Sequence, residues 1–452
     1  MSILPSKPSK IEFLFSGLGL VYAFICAWLF FYSNTYADLS LNAFLVLILL
    51  AHFCWFTALY LTYKKNITIK AIFFWAIIFR LILWFAYPVL ENDILRYMWD
   101  GYLIDRFNSA YGLFPSDFYL DNSIDETMLS ILDIISYPDV ATVYGPLSEL
   151  VFYLAYNIAP GEIWAVKLFV ISADILILWV LSQRVSAYKL LIYAWSPLIL
   201  FQFSLNSHID IVALSCLIFA LHYASNKRWY LAPIFLALAI SGKIFALLAI
   251  PFILKYIKQM LLLCILLLVI YIPIMISGES EVSGLISMLN FGQFNSLFYG
   301  FGHYILAQST LKTIALILFL MSYIIVFYMF YGKNKVISKE QALLYIYFVF
   351  LLCMPVVNVW YLAWFLVFAV YTQQCWPWVF SVTVWLALFT GINLQSSSLG
   401  LYEIPEYILL VEYGVLFLFF IKEKTRMTFT EVKGDEVLIP KKHPWWKFTL
   451  NP

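Results

Sequence analysis

Glu91-Asn92-Asp93-Ile94-Leu95-Arg96-Tyr97-Met98-Trp99-Asp100-Gly101 comes directly after a long apolar run that ends at Pro88, and it opens the longest polar segment of the chain, about residues 89–145. The chain before this stretch reads as membrane, and so does most of the chain after residue 145. Carboxylates and an arginine set where an apolar helix leaves a bilayer are costly unless they are solvated, paired or used. The stretch therefore marks both a boundary of the bilayer and a place to look for chemistry.

Outward from it, the composition agrees. Of 452 residues, 64% are hydrophobic and 12% charged, against about 25% charged in a soluble domain. Apolar runs of about 20 residues recur from end to end, the pattern of a polytopic α-helical membrane protein. The alternation of a transmembrane barrel, in segments of about 10 residues, is missing. A net charge of +1 offers no basic field for nucleic acid. The expected fold is all-α, a single transmembrane domain over residues 1–421 with about 11–14 membrane helices and a large first loop carrying interfacial helices, and a tail over 422–452. Helices are expected near 11–32, 40–62, 71–88, 163–182, 189–203, 209–224, 229–241, 243–256, 259–276, 311–331, 341–354, 358–371, 376–393 and 405–421. Several are shorter than the roughly 17–25 residues that span alone, so breaks and re-entry are expected. The run from Phe13 to Tyr32 is too long for a signal-peptide core and reads as a retained helix. Cys26, Cys54, Cys216, Cys264, Cys353 and Cys375 form no CxxC pair and read as small buried hydrophobes.

Lysines and arginines in short loops give the orientation. Lys7, Lys10, Lys64, Lys65, Lys70, Arg184, Lys189, Lys227, Arg228, Lys255, Lys258, Lys333, Lys335 and Lys339 fall on one side if 229–241 and 243–256 form a hairpin, and the basic tail joins them. Both termini are then cytoplasmic and segment 89–145 lies outside. Residues 146–158 break the parity if they cross, so they are expected as an interfacial or partly inserted helix.

Several polar groups land on that outer side. Glu91 and Asp93 are candidates for a general base, since transfer of a group to a hydroxyl calls for a carboxylate to accept its proton; solvated boundary carboxylates are the ordinary alternative. On a helix, Asp93, Arg96, Tyr97 and Asp100 share a face. Tyr144-Gly145-Pro146-Leu147 suits a helix start or a wall of the same site. Asn206-Ser207-His208-Ile209-Asp210 suits a polar turn equally well as a phosphate contact, with Asp210 orienting His208. Lys243 sits at an outer hairpin end, against the positive-inside bias, where binding an anion would justify it. His303 comes after a glycine-containing loop and is most simply a solvated side chain. Trp360 and Tyr361 fit an aromatic belt or a sugar-stacking platform. No cluster has the spacing of zinc ligands.

These stretches together resemble a known family. Glu91–Gly101 is similar to the D-[IV]-x-R-Y-x-W-D-G segment of bacterial polyprenol-phosphate-mannose-dependent mannosyltransferases of the glycosyltransferase C (GT-C) superfamily. Tyr144-Gly145-Pro146 resembles the family's Y-[PG]-P element. Ser196-Pro197-Leu198 with Asn206–Asp210 resembles its N-P-L … G-H-x-D element, with Ser196 and Ser207 replacing the usual Asn and Gly. Lys243 with Pro251, and Pro355 with Trp360-Tyr361, are similar to later family positions. The resemblance implies a multi-pass enzyme of the bacterial cytoplasmic membrane that takes a sugar from a polyprenyl-phosphate donor at the outer face and passes it to a glycan, lipid or protein hydroxyl. Asp93 aligns with the family's catalytic carboxylate position, and Glu91 is the reserve. Arg96, Lys243 and His208 would hold the donor phosphate. Tyr97, Trp99, Asp100, Tyr144, Asp210, His303, Trp360 and Tyr361 would line the substrate site. No metal and no cofactor is expected. A flippase for a lipid-linked sugar and a non-catalytic membrane scaffold are the rival readings.

Overall fold

The computed structural model describes residues 10–35, 40–65, 67–224, 228–277, 280–288, 293–333, 336–372, 374–390 and 404–431. The end of the expected helix 376–393 and the tail beyond residue 431 lie outside the described residues. Among those described there is no strand, and an isolated bridge joins Phe294 to Val356.

The chain begins with α1 (Lys10–Thr35), α2 (Leu41–Lys64) and α3 (Ile69–Leu83). Ser40 and Thr68 cap α2 and α3 by accepting the Ala43 and Ala71 amides. Then come α4 (Asp93–Phe107), α5 (Glu126–Leu132), α6 (Pro146–Ile158), α7 (Ile163–Ser182), α8 (Ala187–Ala194), the short α9 (Pro197–Ile199), α10 (Asp210–Tyr223) and α11 (Leu231–Gly242). The remainder is α12 (Ile250–Ile253), α13 (Ile257–Ser277), α14 (Glu281–Met288), α15 (Leu297–Gly302), α16 (Gln308–Tyr331), α17 (Lys339–Leu352), α18 (Ala363–Ala369), α19 (Trp376–Thr383) and α20 (Glu406–Glu431).

Among the described residues, α1, α2, α7 and α16 are each long and apolar enough to cross a membrane. Phe13, Phe24, Ile265, Val269, Met321 and Ile324 stand exposed on α1, α13 and α16. Such apolar surface is a liability in water and ordinary against lipid. The protein is an all-α polytopic membrane protein. Cys264 joins this exposed surface, against its expected burial; Cys26 and Cys54 are buried as expected, and no disulfide joins any of the six cysteines.

The expected breaks are present. The run 189–203 is not one helix: Pro197, which lacks an amide donor, separates α8 from α9, and the chain continues as a wide π turn over Leu200–Leu205. The run 243–256 is a 3-10 turn over Ile244–Ala249 and then α12. Residues 358–371 likewise divide into a 3-10 turn over Val359–Leu362 and α18.

Two buried charges inside the bundle, Arg80 and Lys167, are held by partners packed around them. Arg80 Nε is 2.8 Å from Asp174 Oδ2, and Tyr193 donates to Asp174 Oδ1 at 2.8 Å, all three buried. Lys167 Nζ donates to the carbonyls of Leu83, Ala86 and Ser204. One lysine thus ties the end of α3 and the π turn to α7, and so fixes the two lengths of chain that lead into Glu91 and His208.

Segment 108–145 wraps α4. Asn108 ends α4 in the left-handed conformation at φ 61°, which Asn tolerates. Every residue of α4 from Ile94 to Leu103 is buried, so the helix is enclosed on all sides over that length. Residues 146–158 form α6, packed against α4, α7 and α11.

Candidate active site

The site is assembled at the N-terminus of α4 and one end of the antiparallel α10–α11 pair. Asp93 is the first residue of α4, where the helix dipole favours a carboxylate. Asn206 prepares its approach. The Asn206 Oδ1 accepts the amides of Val89 (2.9 Å) and Leu90 (3.0 Å), and its Nδ2 donates to the Phe201 carbonyl. Asn92, next to Asp93, donates to the Ile134 carbonyl and accepts from Ser136. The start of α4 is therefore pinned from two directions.

Ser207 adopts φ 68°, a left-handed bend that turns His208 inward. His208 is fully buried, although its segment reads as an ordinary polar turn. Its ring stacks on Trp360 at 3.7 Å between centroids, and its Nδ1 lies 3.5 Å from Asp93 Oδ2. Neither ring nitrogen has a hydrogen-bond partner within the protein. Asp93 keeps 30% of its side chain exposed. Buried polar atoms of this kind are aimed at something that completes them.

Asp210 opens α10 and Lys243 closes α11, so the hairpin brings them together: Lys243 Nζ is 3.2 Å from Asp210 Oδ1. Trp364 Nε1 donates to the same oxygen at 3.3 Å. The ammonium lies 5.3 Å from the ring centroids of both Phe245 and Tyr361, a cation–π setting. Tyr97 stacks on Phe152 at 4.6 Å, meets Tyr144 edge-on at 5.1 Å, and its hydroxyl accepts the Ile209 amide at 3.5 Å. Burial raises Tyr97 well above the usual tyrosine range, and the Asp93 and Asp210 charges add to it. Burial, then the charge of Asp93, also raises Glu91 well above the usual carboxylate range.

The glycines of the two motif stretches have steric jobs. A Cβ on Gly145 would sit 2.3 Å from the Ser241 carbonyl, and one on Gly101 would sit 2.5 Å from the Phe152 carbonyl. Gly145 thus lets the start of α6 touch the end of α11, where Ser148 Oγ also donates to the Gly242 carbonyl. Gly101 lets α4 and α6 close on each other.

Arg96 and Asp100 turn to a second group. Arg96 Nε pairs with Asp100 Oδ1 at 2.8 Å and its Nη1 donates to the Val140 carbonyl. Thr142 donates to Glu149 Oε1 at 2.6 Å. Burial raises Asp100, although Arg96 opposes the rise; burial and then the Asp100 charge raise Glu149. A folded carboxyl with a raised pKa binds more protons than the unfolded chain, starting from about pH 4.3, so stability falls as pH rises from there to the raised value. Glu149→Gln is expected to flatten this alkaline loss of thermal stability. Identical pH slopes for variant and parent would contradict it.

The structure thus brings together Glu91, Asp93, Tyr97, Tyr144, His208, Asp210, Lys243, Trp360 and Tyr361. Arg96 and Asp100 form the neighbouring group. Trp99 is buried against Tyr102 and Phe118, beneath the wrapping segment. His303 keeps other company: its Nδ1 meets Gln293 and the Tyr299 carbonyl, and its ring packs on Tyr304. Ligand atoms of Glu91, Asp93 and His208 lie within 4.8 Å of one another, a grouping able to hold a metal ion. Sequence reasoning passed over Arg80, Lys167, Asp174, Glu149 and the buried Glu412. The signal for one pair was present: Lys167 and Asp174, seven apart in an apolar run, lie on one helical face.

The sequence model of the family described as alpha-(1->6)-mannopyranosyltransferase, N-terminal domain, matches residues 21–259. That span runs from α1 past Lys243 and holds every grouped residue except Trp360 and Tyr361. No curated protein and no solved structure matches the chain. With just over half its length matched, the chain belongs to the alpha-(1->6)-mannopyranosyltransferase family and is a mannosyl glycosyltransferase.

Proposed function

We propose that this mannosyltransferase takes its sugar from a polyprenyl-phosphate donor, at the outer face of the membrane, and passes it to a hydroxyl of a glycan, lipid or protein acceptor. The observation that carries this reading is the buried His208 imidazole, whose ring nitrogens make no hydrogen bond within the protein: its Nδ1 lies 3.5 Å from the partly exposed Asp93 carboxylate, and Asp210, paired with Lys243, comes two residues after it. Asp93 takes the proton from the acceptor oxygen as that oxygen bonds to the anomeric carbon. The bond from the anomeric carbon to the phosphate oxygen breaks, and its electron pair leaves with the lipid phosphate. Attack opposite the leaving group inverts the anomeric centre. Lys243 and His208 face the charge that develops on the phosphate, the kind of preorganised contact worth about 2.7–4 kcal/mol per donor. Arg96, engaged by Asp100, holds the wrapping segment in place. Lysines and arginines in the short loops support the outer placement, as does the gathering of these polar groups at one end of α10 and α11. The lipid tail reaches the site sideways from the bilayer. The protein's own groups suffice, without a metal.

The test is purified protein in detergent, with no ion gradient, given a panel of polyprenyl-phosphate sugars and an acceptor, with products read by mass spectrometry. Mannosylated product is expected, and it persists in excess EDTA. Loss in EDTA with recovery on adding manganese would place an ion on Glu91, Asp93 and His208. Absence of product from every lipid donor would leave the flippase reading.

A further inference from the structure

A cavity of about 280 Å³ opens at the far end of α4, where Asn108, Ser109, Tyr111, Glu149, Tyr153 and Ile274 line it. Tyr111 and Glu149 are each more than nine-tenths buried, and the Tyr111 hydroxyl and Glu149 Oε2 have no hydrogen-bond partner within the protein. Behind them, Asp100 Oδ2 and Arg96 Nη2 are unpartnered as well. Polar atoms buried in this way are costly unless something hydrogen-bonds to them.

The chemistry of the lining narrows the ligand. Asp100, Glu149 and the nearby Glu281 place three carboxyl groups beside one guanidinium, and the electrostatic influence of all three reaches Tyr111 or Glu149. An anion such as a phosphate is disfavoured there. The walls are apolar and aromatic, from Ile104, Pro146, Leu150 and Tyr153. Apolar walls with a few convergent hydroxyl, carboxyl and amide groups suit a ring that has both a C–H face and hydroxyl edges. The volume falls just below the roughly 300–1,000 Å³ of pockets for drug-sized ligands, room for a single sugar ring. Ile104 lies eleven residues along α4 from Asp93, about 16 Å at 1.5 Å per residue.

We infer that this cavity is a distal acceptor subsite, which holds a neutral sugar ring a few units away from the hydroxyl that is being glycosylated. The inference rests on the glycosyl-transfer reading above. It makes the enzyme a reader of chain length: an acceptor long enough to reach the cavity binds better than one that is not.

The experiment is a ladder of neutral oligosaccharide acceptors, from one sugar to six, assayed with full-length protein, and repeated for Tyr111→Phe and Tyr153→Ala. Tyr153 is only half-buried, so its substitution guards against misfolding of the more buried variant. The parent protein is expected to show KM falling about tenfold once the acceptor reaches a threshold length. Both variants are expected to lose that gain, so that KM for long acceptors approaches KM for short ones. Transfer with no dependence on length in the parent would overturn the subsite. So would a gain retained in both variants, or a uniform fall with every acceptor, which marks a purely structural role. Absence of transfer to any acceptor strikes instead at the proposed function; binding of the long acceptor alone, monitored by thermal shift with Asp93→Asn protein, still decides the subsite by its presence or absence.

Discussion

Asp93→Asn is expected to lower turnover by about 10²–10⁴-fold, the usual contribution of a positioned general base, while the protein remains folded and abundant. Asparagine matches the shape of aspartate and cannot accept the proton. The fold gives little reason for collapse, because the Asp93 carboxylate is partly exposed. Its neighbours are held independently: Asn206 anchors Val89 and Leu90, and Asp210 anchors Lys243. Glu91 is the reserve acceptor, held above the usual carboxylate range by burial, and Glu91→Gln is expected to cost less. Rates are compared at saturating donor, with yield and gel-filtration profile as controls. Retained turnover in Asp93→Asn would sink the base assignment.

Asp174→Ala is expected to destabilise the protein by about 3–5 kcal/mol, the cost of leaving a buried charge without its partner. Arg80 and Asp174 are wholly buried, and Tyr193 loses its acceptor in the same step. The measurement is thermal unfolding in detergent. Replacing both partners by apolar residues, Arg80→Met with Asp174→Leu, is expected to recover most of the loss, since a well-packed apolar pair often equals a buried ion pair. Charged residues inside a membrane bundle often mark function. Here their contacts are with backbone and each other, so a variant of normal stability and no activity would contradict the structural role.

The sequence carried the membrane class, because runs of about 20 apolar residues have few other homes. It also carried much of the site. Asp93, Asp210 and Lys243 each interrupt apolar chain, and helix topology alone puts such interruptions at a common level. Distances were not legible. Asp93, Arg96, Tyr97 and Asp100 do share a face of α4, yet that face divides, with Asp93 and Tyr97 toward His208 and Ile209 and Arg96 toward Val140. A periodicity places residues on a face and says nothing of which neighbour covers each part of it. His208 sits in a segment that reads as a turn, and its burial results from the π turn and the left-handed Ser207. Arg80, Lys167 and Asp174 vanished into hydropathy averages. His303 shows the reverse: polarity in a loop marked it, and its partners Gln293 and Tyr304 are local.

In the proposed reaction the sugar comes from a lipid phosphate. Purified protein is given polyprenyl-phosphate mannose and a nucleotide-linked mannose together, each with a different heavy-isotope label, and the product is weighed by mass spectrometry. The product is expected to carry the label of the lipid donor; a product carrying the nucleotide donor's label would contradict the claim.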